Sequence, residues 1–475
     1  MNAILTMSSF IFPLITFPYV SRILLPEGTG KVSFATSLIS YFLMFAQLGI
    51  PTYGLRACAK VRDNKEELSR TTQELLIINL VMSTISYGVL FLALAFVPRL
   101  QEERTLYLVV SLTILFNTIG MEWLYKALEH YTYITIRSII FKFVALVTMF
   151  VLVHTRDDYV IYGGITILAA SASNIFNFFH AHRYISMKPV GGYRFRCHLK
   201  AVAVFFAMAC ASTIYTHLDT VMLGFMATDA DVGYYNAAVR IKCILVSIVT
   251  SFGTVLLPRA SYYVENGKME EFWKISRKAL DFVFLAACPM MLYFILFARQ
   301  GIYFLSGEAY AGSILPMQII MPTLLLIGLT NILGIQMLVP LGKEKAVLYS
   351  EISGAVTDII LNALLIPQYT SAGAAVGTLV AEVVVFAVQF SALRKEVGSS
   401  FRSIQYWKIL LGLLVGAAAS CWVPKLGLGS FLTLVISTCL FFAAYGIALL
   451  VTKEPMLWEI CNQMLGKFLK NAKVR

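Results

Sequence analysis

Seven ionisable side chains interrupt long apolar runs of this 475-residue chain, and they fall into two chemical classes. They are Arg22, Lys142, Asp219, Arg240, Lys242, Asp358 and Glu382. A charged side chain is costly inside hydrocarbon, so such groups usually serve a site or a pathway there. The cations could bind an anion, since arginine offers parallel hydrogen bonds to its oxygens. The carboxylates could hold a cation or carry a proton.

The cations lie at the ends and on the faces of predicted helices. Arg22 ends the first apolar run, Arg56 closes the second, and Lys142 lies in the middle of the fifth. Arg240 shares a helical face with Asn236, four residues earlier. We expect these five residues to bind an acidic group such as a diphosphate. The alternative for Arg22 and Arg56 is a role as interface anchors, because membrane helices commonly end in Lys or Arg.

The oxygen-bearing side chains form a second set, in the C-terminal half: Asp219, Asp358, Asn362, Thr378 and Glu382. Asp358 and Asn362 are four residues apart, as are Thr378 and Glu382, so each pair shares a helix face. Hard oxygen ligands of this kind predict a site for a coupling ion, Na⁺ or H⁺, and we expect no other cofactor or metal. The alternative is hydrogen bonding between helices, or a salt bridge to Lys142 or Arg240.

The composition predicts an all-α integral membrane protein. Hydrophobic residues make up 59% of the chain and charged residues 13%, and the mean hydropathy is +0.76. Soluble proteins carry about 25% charged residues. The net charge of +12 comes from basic residues in loops beside apolar runs, not from a basic soluble face. Nucleic acid is therefore not an expected partner.

Fourteen apolar runs come near the ~20 residues that a membrane-spanning helix needs. They cover residues 3–20, 32–53, 75–97, 106–125, 138–153, 160–180, 201–226, 236–257, 280–304, 313–341, 347–366, 372–393, 406–424 and 428–452. A turn containing Pro26, Gly28 and Gly30 joins the first two. Residues 3–20 are interpreted as the first span and not as a cleavable signal peptide.

Basic residues are distributed unevenly between the two sets of loops. If the first span starts in the cytoplasm, the inside loops and tail hold 28 of the 38 Lys and Arg residues, and the outside loops hold 7. Cytoplasmic loops of membrane proteins carry such an excess. An even number of spans then places both termini in the cytoplasm.

A weak internal repeat indicates two six-helix halves. A shift of 203 residues aligns Gly30 with Gly233, Ser33 with Asn236 and Ser37 with Arg240. Polar stripes with steps of four and three follow each glycine, and we expect the stripes to face each other across a path for a charged lipid. The predicted domains are a six-helix lobe at 1–196, a second at 197–397, two further helices at 398–452, and a basic amphipathic cytoplasmic tail at 453–475.

Three stretches resemble one known family. FPLITFPYVSRILLPEGTGKVSFATSLISYF and LGIPTYGLR are similar to the opening of bacterial lipid-linked oligosaccharide flippases, the O-antigen and capsule repeat-unit translocases. LDTVMLGFMATDADVGYYNAAVRI looks like the segment that joins helices seven and eight of the same family. These proteins form the polysaccharide branch of the multidrug/oligosaccharidyl-lipid/polysaccharide exporter superfamily.

The resemblance implies a V-shaped, two-lobed fold around a central cavity. It also implies that undecaprenyl-diphosphate-linked glycan passes from the inner to the outer leaflet of the bacterial cytoplasmic membrane. Related lipid exporters carry arginines on helices one, two and eight, which Arg22, Arg56 and Arg240 match approximately. Some members hold a cation on helices seven, eleven and twelve, near Asp219, Asp358 and Thr378.

These observations together predict a non-enzymatic flippase for surface polysaccharide biosynthesis that works by alternating access. Its expected partners are the lipid-linked glycan, membrane lipids, and the polysaccharide polymerase and chain-length machinery. One alternative is a cation-coupled antiporter of drugs or small solutes from the same superfamily. Another is a membrane polymerase or ligase, against which the short outside loops argue.

Overall fold

The computed structural model describes residues 2–458, with side chains from Phe12 onward except at positions 14, 252, 254, 255 and 399. All regular elements in this described part are helices. The predicted all-α architecture is confirmed. Most of the predicted basic tail at 453–475 lies outside the described residues.

Two compact units divide the chain, residues 1–236 and 237–475. The helices of the first unit are α1 (Asn2–Gln47), α2 (Ile50–Lys60), α3 (Lys65–Phe96), α4 (Pro98–Gln101), α5 (Arg104–Gly120), α6 (Glu122–Ala127), α7 (Tyr131–Leu152), α8 (Tyr159–Ala170), α9 (Ile175–His180) and α10 (Arg196–Met226). Helix α11 (Asp229–Glu265) begins in the first unit and continues into the second.

The second unit continues with α12 (Met269–Leu296), α13 (Ala298–Ser306), α14 (Ile314–Ile320), α15 (Thr323–Thr330), α16 (Glu344–Ser403), α17 (Tyr406–Ser420) and α18 (Ser430–Val451). A π-helical stretch, Asn331–Leu338, follows α15. This division differs from the predicted boundary at 196/197, and the predicted domain limits stay predictions.

Nine helices in the described residues are long and apolar enough to cross a membrane, or eleven if two bent pairs each count as one span. Two of the nine contain a break in helical geometry, at Leu25 and at Thr370. The chain is therefore a multi-pass membrane protein, and the predicted count of fourteen spans is not confirmed.

The turn predicted at Pro26, Gly28 and Gly30 is shorter in the structure than the sequence suggested. The backbone leaves helical geometry only at Leu25, where φ is 59° and ψ is 179°. Pro26 then begins the next helical segment, where its missing N–H costs nothing. Gly28 and Gly30 lie inside that segment and are buried. Their small size serves packing, not a turn.

Gly30 and Gly233, the pair that the repeat aligns, meet in a reciprocal contact. A Cβ atom on Gly30 would overlap the carbonyl of Asp229, and one on Gly233 would overlap the carbonyl of Pro26. Pro26 and Asp229 are themselves 203 residues apart, so exchanging the repeats exchanges the two contacts. A two-fold relation between these segments produces this pattern.

Helix α10 packs antiparallel to the segment of α1 that follows Leu25 and to α2, which joins it to the first unit. Phe34 contacts Gly224, and the Ser37 hydroxyl lies 3.2 Å from His217 Nδ1. Further along, the Tyr53 hydroxyl lies 2.8 Å from His198 Nδ1. His198 and Gly224 are about 39 Å apart along α10, which exceeds the thickness of the hydrocarbon layer.

Alternate loops gather at opposite ends of the first unit. At the Gly224 end, Lys31 pairs with Glu103 at 2.8 Å, and the Tyr159 hydroxyl donates to Glu103 at 2.7 Å. At the His198 end, Arg62 pairs with Glu129 at 3.0 Å, and Gln73 donates to the carbonyl of Ser186 at 2.7 Å. These groupings match the two predicted sets of loops. The cytoplasmic identity of one end stays a prediction.

Candidate functional site

The predicted anion-binding arginines of the first unit are exposed. Arg22, on the first segment of α1, donates from Nη1 to the carbonyl of Pro18 at 2.5 Å. Arg56 lies on α2, which begins directly after Gly49. Gly49 itself is in the left-handed region, with a φ of 70°. The two arginines belong to separate helices.

Lys142 is half-buried on α7, on the same helical face as the fully buried Ala145 and Met149. The rings of Tyr19 and Phe150 pack 4.6 Å apart, and this contact fixes the height of α1 against α7. Lys142 lies eight residues before Phe150, about 12 Å along the axis, whereas Arg22 is within one turn of Tyr19. The two cations therefore stand at different heights along this helix pair.

Helices α10 and α11 bring members of both predicted sets together. The Tyr235 hydroxyl donates to the Asp219 carboxylate, and the Thr220 hydroxyl donates to Asn236 Oδ1 at 3.5 Å. Asp219 belongs to the predicted cation set and Asn236 to the predicted anion set. Arg240 follows one turn after Asn236 and is half-buried.

Helix α16 folds back at Thr370, and its two arms pair side by side. Ser350 meets Gln389 at 3.0 Å, and Gly354 faces Val385. Between these contacts and the break, Asp358 and Asn362 both approach Gly377. The helical spacing predicted that Asp358 and Asn362 share a face, and the structure turns that face toward the other arm.

The remaining members of the C-terminal set lie on the second arm. Thr378 adjoins Gly377 and donates to the carbonyl of Ala374 at 3.0 Å. Glu382 is 2% exposed, Asp358 8% and Asn362 fully buried. A Cβ atom at position 377 would overlap the side-chain oxygens of Asp358 and Asn362. Carboxylate and amide oxygens are hard ligands of the kind that bind Na⁺, and the predicted coupling site stays a prediction.

An ion-pair network closes the Gly224 end of the first unit. Arg99 pairs with Asp229 at 2.5 Å and also donates to the carbonyl of Gly224 at 3.1 Å. Although burial lowers the pKa of Arg99, the Asp229 carboxylate raises it above the ordinary value. The network therefore holds the turn between α10 and α11 against α4.

Glu74 and Arg137 are among the buried ionisable groups that the sequence interpretation did not single out. Glu74, on α3, accepts from the backbone N–H of Arg194 at 2.5 Å and lies 2.6 Å from His198 Nε2. Arg137 is 7% exposed and lies on α7, which begins at Tyr131 and not at the predicted residue 138. Each lies at the edge of an apolar run, where a small boundary error assigns a residue to a loop.

Two family descriptions match this chain. The family described as polysaccharide biosynthesis protein matches residues 1–264, and the one described as MatE matches residues 204–364. A protein of Escherichia coli (strain K12) named "Putative O-antigen transporter" is 24% identical over 396 residues, which are 83% of this chain and 95% of that relative.

Solved structures show the fold. The lipid II flippase MurJ in an inward closed conformation superposes with a TM-score of 0.72 at 16% identity, over 94% of this chain and 97% of that one. An inward-facing multidrug resistance transporter of the MATE family gives a TM-score of 0.63 at 15% identity, over 82% and 95%. The chain shares the all-α fold of these membrane transporters. Because the first family match covers more than half of its length, the chain belongs to the polysaccharide biosynthesis protein family.

Proposed function

We propose that this protein is a flippase that moves lipid-linked oligosaccharides between the leaflets of a bacterial inner membrane by alternating access. The family match over residues 1–264 carries the proposal, and the named O-antigen transporter supports it over most of the chain. The relatives are transporters, so the proposed activity involves no covalent chemistry.

In this proposal the basic side chains bind the diphosphate of the lipid-linked cargo. A diphosphate loses its hydration as it enters an apolar protein, and guanidinium groups replace part of it with charge-assisted hydrogen bonds. We assign this role to Arg22, Arg56 and Arg240, with Lys142 and Asn236 as further polar groups along the route. The lipid tail stays in the bilayer during the step.

The test compares surface glycan in cells whose own flippase has been replaced by variants of this chain. Arg22→Ala and Arg240→Ala should lower surface glycan by about tenfold or more, because each loses a charge-assisted contact worth about 1.5–3 kcal/mol. Arg62→Ala is the matched control, since Arg62 is an exposed cation paired with Glu129. Protein levels are measured by immunoblot.

Normal glycan output from both variants at wild-type protein levels would remove the diphosphate assignment. Arg22→Lys and Arg240→Lys should recover part of the output, because they keep the charge. The polymerase and chain-length machinery are expected partners in the same cells, since the flipped unit is their substrate.

We also propose that a cation binds at Asp358 and Asn362 and that its movement drives transport. Na⁺ is the first choice and H⁺ the second, and Asp219, Thr378 and Glu382 are further candidate ligands. The burial of Asp358 and Asn362 against Gly377 supports this assignment. A rival function, cation-coupled export of drugs or small solutes, draws on the MatE match at residues 204–364. Drug resistance conferred on a sensitive host, without any effect on surface glycan, would favour the rival.

A further inference from the structure

A cleft of about 310 Å³ opens beside α7 on the surface of the first unit. It is lined by Tyr133, Ile136, Arg137, Ile140, Phe141 and Phe176. Ile136, Ile140 and Phe176 are each more than half exposed. Apolar side chains exposed on a membrane-spanning helix contact lipid, so the walls of the cleft suit a hydrocarbon chain.

Arg137, one of the residues that line the cleft, is a buried cation. Arg137 Nη2 donates to Asn174 Oδ1 at 2.9 Å and lies 3.4 Å from Glu122 Oε2. Arg137 Nε and Nη1 are buried, and neither has a hydrogen-bond partner among the described residues. Buried N–H donors without an acceptor are costly, particularly on a charged group, so these two nitrogens call for an acceptor.

The charges around Arg137 do not balance. Glu122 is the nearby carboxylate, and it also pairs with Lys126 at 2.8 Å. Two cations thus share one carboxylate, and a positive charge remains. An anion at the cleft would neutralise it and would accept from the free N–H groups.

The depth of Arg137 matches that of a lipid headgroup. Arg137 lies six residues into α7, about 9 Å along the axis from its first residue, near one edge of the ~30 Å hydrocarbon layer. Tyr133 lies one turn earlier, and its ring is 5.8 Å from the Arg137 guanidinium carbon. Tyrosines commonly mark the interface where lipid phosphates reside.

We propose that this cleft binds a resident anionic glycerophospholipid. A rotation of the Arg137 side chain toward the cleft lets the phosphate accept hydrogen bonds from Nε and Nη1, and one acyl chain lies along Ile136, Ile140 and Phe176. The cargo fits the cleft poorly, because an oligosaccharide would find few polar partners on apolar walls. The site is thus separate from the proposed diphosphate route.

Native mass spectrometry of the purified full chain tests the proposal. The probe is palmitoyl-oleoyl phosphatidylglycerol, and diacylglycerol with the same chains is the control that lacks a phosphate. Ile140→Trp fills the cleft without touching the hydrogen bonds of Arg137, and Arg137→Gln removes the charge. Ile139→Trp is the matched control, since Ile139 is exposed on the same helix but does not line the cleft.

Wild type and Ile139→Trp should each bind one phosphatidylglycerol molecule. The affinity for this lipid should be lower by about tenfold or more in Ile140→Trp and Arg137→Gln. Diacylglycerol should bind weakly to all four proteins. Wild-type phosphatidylglycerol binding by Ile140→Trp would overturn the proposal, even if Arg137→Gln fails to fold. Equal binding of diacylglycerol would overturn the role of the phosphate. Displacement of phosphatidylglycerol by a polyprenyl diphosphate from wild type would assign the cleft to the cargo instead.

Discussion

Asp358 and Asn362 bring a carboxylate and an amide oxygen to one point on the inner side of the α16 hairpin. Gly377 on the opposite arm approaches both side chains closely. A larger residue at 377 would take the space in which these oxygens lie. A buried carboxylate is unfavourable unless a cation, a proton or a hydrogen-bond donor compensates it. The pair therefore brings two of the predicted ligands together, and the coupling site stays a prediction.

Replacing Asp358 should abolish the stabilisation of the protein by Na⁺. In detergent, we expect NaCl to raise the thermal midpoint of the wild-type protein by about 1–3 °C above equal KCl, because an ion that binds only the folded state stabilises it. Asp358→Asn should lose this difference. Glu344→Gln, an exposed carboxylate on the same helix, should keep it.

A sodium effect retained in Asp358→Asn would remove this residue from the proposed site. A stability difference that follows pH and not Na⁺ in wild type would assign the carboxylate to H⁺.

Arg137 and Glu74 show where prediction of single residues failed. The period of the apolar residues predicts the face of a helix well, as it did for Asp358 and Asn362. The ends of helices depend on capping and tertiary contacts, and they are the least certain part of such a prediction. Arg137 was therefore counted with a loop, although it lies on α7 and is buried.

The contact between the second segment of α1 and the start of α11 depends on two glycines. Backbone atoms of each segment occupy the place of a Cβ atom on the other. Gly30 and Gly233 were noticed in the sequence as repeat partners. Their mutual contact was not predicted, because a repeat gives equivalence and not proximity.

Enlarging either glycine should destabilise the first unit. We expect Gly233→Val to lower the free energy of unfolding by about 1–3 kcal/mol or more, since the clash involves backbone atoms that cannot rotate away. Gly88→Val on α3 is the matched control, because a Cβ atom there meets nothing within 4 Å. Fluorescence-detected size exclusion after heating reports the difference. Equal thermal midpoints for the two variants would contradict the packing described for Gly233.

The loops of the first unit sort into two sets at opposite ends, which fixes their alternation but not their orientation. The predicted orientation rests on the excess of Lys and Arg in one set. Cysteine labelling in intact cells can determine it, in a variant without the eight native cysteines.

A membrane-impermeant maleimide should label Glu102→Cys and Asp157→Cys in intact cells, because both residues are exposed at the end predicted to face outward. Asp63→Cys and Lys188→Cys, exposed at the other end, should react only after permeabilisation. The reverse pattern would invert the predicted topology and place the termini outside. Labelling of one residue from each pair would contradict the alternation itself.

Composition and periodicity alone were enough to establish a helical membrane protein, because hydrocarbon requires backbone polar groups to be satisfied within each helix. They also selected helix faces such as that of Asp358 and Asn362, since those depend on local spacing. Contacts between distant segments required the folded chain: the break at Leu25, the meeting of Gly30 with Asp229, and the buried Arg137 each depend on neighbours far away in sequence. Long apolar helices carry little information about which neighbour they pack against, so side-chain shape and backbone approach decide those contacts.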